Sequence, residues 1–172
     1  MEINMPVLRI SGIIKESIVD GPGIRYVVFT QGCPHKCEGC HNPQTHDFSG
    51  GREEETHVIL SQIKENPLLS GVTFSGGEPF CQPSPLSALA REVHNLNKNV
   101  VSYSGYTFEE LLELSKTKPD ILELMRNIDI LIDGKFVLSE KSLMLKFRGS
   151  KNQRIIDMKK SLETGEAVIK NL

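Results

Sequence analysis

Short apolar runs alternate with longer amphipathic stretches along this chain, and that alternation leaves few folds open. Arg9–Ile14 and Ile24–Thr30 read as strands, the second rich in β-branched and aromatic residues. Gly71–Ser75, Asn99–Ser104, Ile128–Ile132 and Arg154–Met158 read the same way. Between them, Glu53–Glu65 has helical spacing, with His57, Leu60 and Ile63 or Lys64 around it and Pro67 as the stop. Pro85–Leu96 sets Leu86, Leu89, Val93 and Leu96 on one helical face. Thr107 to Glu110 fits a capping box opening a helix through Leu114, and Asp120 fits the cap of a helix running to Arg126. Strands separated by helices imply a parallel α/β sheet with right-handed crossovers. The strands lack strict polar alternation, as strands covered on both faces do.

A closed eightfold barrel takes roughly 250 residues, and this chain supplies about four or five βα units. The expected fold is therefore a single α/β domain over residues 1–172, an open partial (β/α) barrel with a mostly parallel sheet. A flat doubly wound sheet is the alternative. In both, ligands bind beyond the carboxyl ends of the strands. The unusual loops all follow strands: Gly32–Asn42, Gly76–Pro79, Gly105–Tyr106 and Asp133–Lys135.

Composition removes several function classes. The net charge of −2 offers no basic excess for coating nucleic acid. No run of about 18 apolar residues is present to span a membrane. Met1–Ile10 lacks the basic start, apolar stretch and cleavage site of a leader peptide, so the cytoplasm is the expected location.

Cysteines occur at 33, 37, 40 and 81. Three within one short loop close too little chain for a disulfide framework and instead suit soft metal binding. The spacing is C-x3-C-x2-C, in Cys33-Pro34-His35-Lys36-Cys37-Glu38-Gly39-Cys40. A structural zinc site takes four ligands, and His35, His46 and Cys81 are the candidates for the fourth, since His41, adjacent to Cys40, converges awkwardly. An electron-transfer [4Fe–4S] cluster also takes four thiolates. A cluster held by three leaves one iron open to a substrate. Cys81 reads more simply as a small buried apolar residue.

Gly76-Gly77-Glu78-Pro79 lets backbone approach a ligand closely and places a carboxylate there, which suits an ammonium group and repels phosphate. Asp133 and Lys135 end a strand, as a solvated turn or as ligand contacts. Ser102 and Ser104 fit either cofactor hydrogen bonds or local ones. Asp20–Arg25 reads as a Pro-Gly turn. Arg148, Asn152, Gln153 and Arg154 form a basic, polar cluster suited to solvent, an anion or a partner. His35, His57 and His94 read as surface or helix residues, whereas His46 and Asp47 fall near the mouth of the cysteine loop.

The three-cysteine motif resembles that of the radical S-adenosylmethionine (SAM) enzymes. Cys33–Pro43, ending Cys-His-Asn-Pro, and Asp20-Gly21-Pro22-Gly23-Ile24-Arg25 resemble their glycyl-radical activase branch. Ser104–Glu109, Asp133–Phe136 and Arg148–Arg154 narrow the resemblance, over roughly residues 9–156, to activases that serve anaerobic ribonucleoside-triphosphate reductases. The resemblance implies a [4Fe–4S] cluster on Cys33, Cys37 and Cys40, with SAM on the open iron. It places Gly39, Cys40 and His41 along the cofactor and Gly76, Gly77 and Glu78 at its amino group. Beside these, Ser102 and Ser104 are candidates to hydrogen-bond the cofactor, Lys135 to pair with its carboxylate, and Asp133 to bind a cation or orient Lys135, at a strand end where the family carries acidic and basic residues. Asp20, Gly21 and Arg25 would meet the partner, the reductase's catalytic subunit. A reduced flavodoxin or similar donor would supply electrons, with no nucleic acid or membrane involved. A homodimer is compatible with it.

Overall fold

A computed structural model describes residues 6–172, so Met1–Met5, part of the stretch read against a leader peptide, lie outside it. Seven strands form one sheet: β1 (Val7–Ser17), β2 (Arg25–Thr30), β3 (Arg52–Glu55), β4 (Gly71–Gly76), β5 (Asn99–Ser104), β6 (Ile130–Asp133) and β7 (Arg154–Asp157). Their order is β3-β1-β2-β4-β5-β6-β7. The centre, β2-β4-β5-β6, is parallel, and β1, β3 and β7 are antiparallel to their neighbours. Successive parallel strands are added in one direction, so the sheet does not double back as a doubly wound sheet does.

Five helices complete the fold: α1 (Thr56–Lys64), α2 (Pro83–Asn95), α3 (Phe108–Ser115), α4 (Pro119–Arg126) and α5 (Met158–Thr164). All pack on one face of the sheet. The strands' period of two explains the division. Tyr26, Val28, Val72, Phe74, Val100, Leu131 and Ile156 meet the helices in the main core. Their sequence neighbours Val101, Ile130, Ile132 and Ile155 form a smaller cluster on the helix-free face, joined by Tyr103 and Phe147. Full burial of a side chain such as Phe74 contributes roughly 2–3 kcal/mol. No helix among the described residues is long and apolar enough to cross a membrane.

Several element boundaries differ from the sequence expectation. Glu53–Glu55 is not helical, because Arg52–Glu55 pairs with Val7–Ile10 as a charged edge strand. An edge strand leaves such side chains in water and discourages pairing with another chain. Helix α1 consequently starts at Thr56 and buries Ile59 and Ile63. Asp120 lies in the first turn of α4 rather than capping it, since Lys118 is the N-cap. There its charge still complements the helix dipole. The capping box at Thr107 and Glu110 is present and contributes about 1 kcal/mol. Helix α5 has no counterpart in the sequence reading. Its signals are Asp157, whose side chain accepts from Lys160 N at 3.1 Å, and a left-handed Gly165 at its end.

Register places the functional loops together. Thr30 lies opposite Gly76, and Ser104 opposite Asp133. The chain therefore leaves β2, β4, β5 and β6 along a common edge.

Candidate active site

The loop after β2 carries the three cysteines and is fastened to the segment that follows it by backbone bonds. Gly32 N donates to Thr45 O at 2.7 Å and Cys33 N to His46 O at 3.1 Å. The loop after β4 is stitched to it. Gly77 N donates to Thr30 O, and Glu78 N to Gly32 O, both at 2.8 Å. This close approach requires the two glycines. Gly76 has φ +91°, and a Cβ on Gly77 would stand 2.4 Å from the Gly32 carbonyl oxygen.

Both loops open onto a cavity of about 380 Å³ against the helix-free face of the sheet. That size is within the ~300–1,000 Å³ typical of small-molecule sites. Cys33, Cys37 and Cys40 all line it, each partly buried. So do His41, Gly76, Gly77, Ser104 and Lys135. Gly39, at φ +74°, packs instead beside Leu138 and Phe136. His41 stacks on Phe136 with ring centroids 4.9 Å apart. Burial pushes the Cys33 thiol up to about 11 and raises that of Cys37.

Glu78 does not face the cavity. Its carboxylate is fully buried and accepts from His35 Nε2 at 2.6 Å, Ser104 Oγ at 2.9 Å, Gly105 N at 2.8 Å and Phe80 N at 3.0 Å. With four protein donors it is an anchor between loops, and the backbone of Gly76 and Gly77 forms the exposed part of the expected motif. His35 is correspondingly not a surface residue. Its side chain is 5% exposed and sits edge-on to Tyr106 at 4.5 Å. The cue in the sequence was only its position between two cysteines.

The period of two also redirects Ser102 and Asp133, which point to the helix side. Ser102 is fully buried and bonds Tyr103 O at 3.0 Å. Asp133, 1% exposed, accepts from Phe108 N at 2.8 Å at the start of α3 and from Arg154 Nη2 at 2.5 Å. It therefore neither orients Lys135 nor faces a ligand. Arg154 spans Asp133 and Glu109, which removes it from the expected anion cluster. Lys135 has no acidic partner among the described residues and remains a free cation at the cavity.

Arg25 is the clearest displacement from expectation. It is fully buried on the helix-free face, where it donates to Thr73 Oγ1 at 2.7 Å, Val72 O at 2.8 Å and Pro22 O at 2.9 Å. It cannot touch a partner; it pins the Asp20–Gly23 turn under the sheet. Gly21 packs directly on it, while Asp20 reaches the cavity. Cys81 is exposed rather than buried and does not line the cavity, because the turn Pro79–Cys81 carries it away. His46 lines the cavity, whereas Asp47 folds back on Ser49. His57 and His94 lie on helices α1 and α2, paired with Glu55 and Asp129.

The opposite wall is formed by Tyr103, Phe136, Lys141, Ser142, Leu143, Leu145 and Phe147–Gly149, of which the sequence reading had singled out Arg148 as a residue for solvent, an anion or a partner. Within it, Arg148 donates to Gln153 O at 3.2 Å, but its buried Nε has no hydrogen-bond partner in the protein. A ligand acceptor at the cavity would satisfy it. Among the described residues no three His, Cys, Asp or Glu side chains converge on one point, as a mononuclear ion requires. A four-iron cluster takes one thiolate per iron and needs donors set around it. Three cavity-lining thiols, a free lysine and an unsatisfied arginine thus fit a cluster with an amino-acid-bearing ligand.

The comparisons with known proteins agree in kind. Residues 19–156 match the model of the 4Fe-4S single cluster domain family. The anaerobic ribonucleoside-triphosphate reductase-activating protein of Vibrio cholerae is 34% identical over 147 residues, covering 80% of this chain and 90% of the relative. The pyruvate formate-lyase-activating enzyme of Clostridium pasteurianum is 35% identical over 127 residues, covering 70% of this chain and 53% of that enzyme. Among solved structures, QueE from Escherichia coli is similar over 59% of this chain and 54% of its own, with TM-score 0.47 and 16% identity.

Proposed function

Because the chain belongs to the anaerobic ribonucleoside-triphosphate reductase-activating proteins, within the 4Fe-4S single cluster domain family, we propose that it activates such a reductase by forming a glycyl radical on its catalytic subunit. It is a radical SAM enzyme that uses a [4Fe–4S] cluster and SAM. The observation that carries this reading is that Cys33, Cys37 and Cys40 all line one cavity, with Cys81 outside it.

Cys33, Cys37 and Cys40 would hold the cluster. Such a cluster would supply the electron for reductive cleavage of SAM, the chemistry needed to abstract hydrogen from a glycine Cα. The protein's part is orientation and exclusion of side reactions. Lys135 and Arg148 offer cations to the carboxylate of the methionine moiety. Gly76 and Gly77 present bare backbone beside the thiols, and Glu78 holds that backbone in place. Cys40 and His41 would lie along the ligand, with His41 braced by Phe136, while Gly39 packs beside Leu138 and Phe136. No general acid or base is required. Ser104 contributes by fixing Glu78, and Asp133 and Ser102 by supporting the strand ends.

In this reading the one-directional strand order is that of an open partial (β/α) barrel, whose open side admits a protein loop. Asp20, at the cavity, is the part of its turn within reach of that loop. The electron donor is a reduced flavodoxin or similar protein, and the cytoplasm is the site of action. The protein works as a complex with the reductase, as a homodimer, or both.

A test combines anaerobically reconstituted protein, dithionite, SAM and the reductase's catalytic subunit. The expected result is 5′-deoxyadenosine release and a glycyl radical by electron paramagnetic resonance. A preparation whose irons are all saturated by side chains, or that leaves SAM intact, overturns the reading. Radical formation on pyruvate formate-lyase instead would reassign the partner, a reading the Clostridium relative favours.

A further inference from the structure

The wall of the cavity opposite the cysteines ends in a feature that the chemistry does not use. Residues 137–153 leave β6 and return as a closed loop. Lys141 bridges Ser150, Ser142 N donates to Gly149 O at 3.2 Å, and Lys151 N donates to Glu140 O at 3.0 Å. Tyr103 Oη donates to Phe147 O at 2.7 Å, and the Phe147 ring packs on the helix-free cluster. Phe147 has φ +60°, an unfavourable conformation for a bulky side chain. Packing therefore holds the loop in a shape its backbone disfavours.

That fixed loop carries Leu143 and Met144 at its tip, 89% and 92% exposed. Leu143 also borders the cavity, as does Val19 of the β1–β2 turn, where Ile18 and Val19 are 75% and 70% exposed. Apolar side chains exposed beside a reaction cavity gain by being covered. Within residues 137–153 the charges are Lys141, Lys146, Arg148 and Lys151 against Glu140 alone. None of the four cations has an ion-pair partner among the described residues.

We propose that this tip, Leu143 and Met144 between Lys141 and Lys146, is the docking element for the partner's polypeptide segment, an acidic and apolar stretch that brings the glycine to the cavity. The inference rests on the activase reading, which makes a protein the substrate of this cavity. Preorganisation lowers the ordering cost of docking, and the cations steer an acidic segment toward it.

The test uses reconstituted holoprotein carrying Met144→Glu or Lys146→Glu, neither of which lines the cavity. Binding to the purified catalytic subunit, glycyl radical yield and partner-free, dithionite-driven 5′-deoxyadenosine release are measured together. Each variant should weaken binding by about tenfold or more, the effect of losing a central interface contact. Radical yield should fall with binding, while partner-free release stays at the wild-type level. Unchanged binding overturns the inference, as does partner-free release that falls in step. Retention of wild-type protein on anionic phospholipid vesicles, lost in the variants, assigns the tip to a membrane and also overturns it. Wild-type protein that cleaves SAM but binds no catalytic subunit overturns the partner reading itself.

Discussion

His35 Nε2 lies 2.6 Å from Glu78 Oε1, so a side chain from between two cysteines is tied to the loop after the next parallel strand. Because a carboxylate only accepts, Nε2 carries the hydrogen. Ser104 Oγ and Gly105 N bond the same carboxylate. One buried group therefore sets three strand-end loops relative to one another. His35→Ala removes a charge-assisted bond and should destabilise the protein by about 2 kcal/mol. It should also weaken SAM binding more than it slows cleavage at saturation. Urea unfolding and equilibrium dialysis measure the two effects, and His35→Gln, which keeps an N–H donor, should restore part of both.

Arg25 supplies a second prediction. Its guanidinium is surrounded by carbonyl and hydroxyl oxygens, and burial lowers its pKa to about 10. Arg25→Ala strands several buried acceptors and should cost about 3 kcal/mol or more of stability. A partner contact would behave otherwise: stability would hold and only reductase activation would fall. Denaturation midpoints of the variant separate these outcomes.

The cysteines should divide three to one. Cys33→Ala, Cys37→Ala and Cys40→Ala each remove a cavity thiol and should abolish 5′-deoxyadenosine release. Cys81→Ser changes an exposed residue outside the cavity and should keep release near the wild-type rate. Chromatographic assay of the nucleoside reads all four.

Acidity should oppose cluster assembly. Burial raises the Cys33 thiol to about 11 and raises Cys37 as well, so these groups are protonated in the metal-free protein at neutral pH. Iron binds the thiolate, and loading must release those protons. Assembly should therefore become more favourable as pH rises from about 7 to 9. For the metal-free protein the sign is opposite. Raised thiol pKa values favour the folded state below about 8.5, the unfolded value. That contribution disappears as pH climbs through about 11. Iron titrations followed by visible absorbance, with proton release in weak buffer, test the first expectation; alkaline melting of the metal-free protein tests the second.

The central β-strands were legible because their apolar runs are short and continuous, as in Asn99–Ser104 and Gly71–Ser75. Residues 52–55 were not, since a run of charges becomes a strand only through its partner β1. At the site, the three cysteines and the glycine pair were legible because their chemistry is written in spacing. Arg25, Ser102, Asp133 and Glu78 turn away from where the sequence reading expected them, for a common reason. Each is polar and lies near a strand end or turn, yet a bonding network within the protein consumes it.

Local sequence thus determined which residue types follow which strands, because thiol spacing and glycine pairs act over a few bonds. Tertiary structure decided which side chains face the cavity. Strand parity and register set that direction, and both depend on partners distant in sequence. The same long-range packing brought His35 to Glu78 and held the 137–153 loop over the site, where Phe147 is kept at an unfavourable φ by contacts that no local pattern encodes.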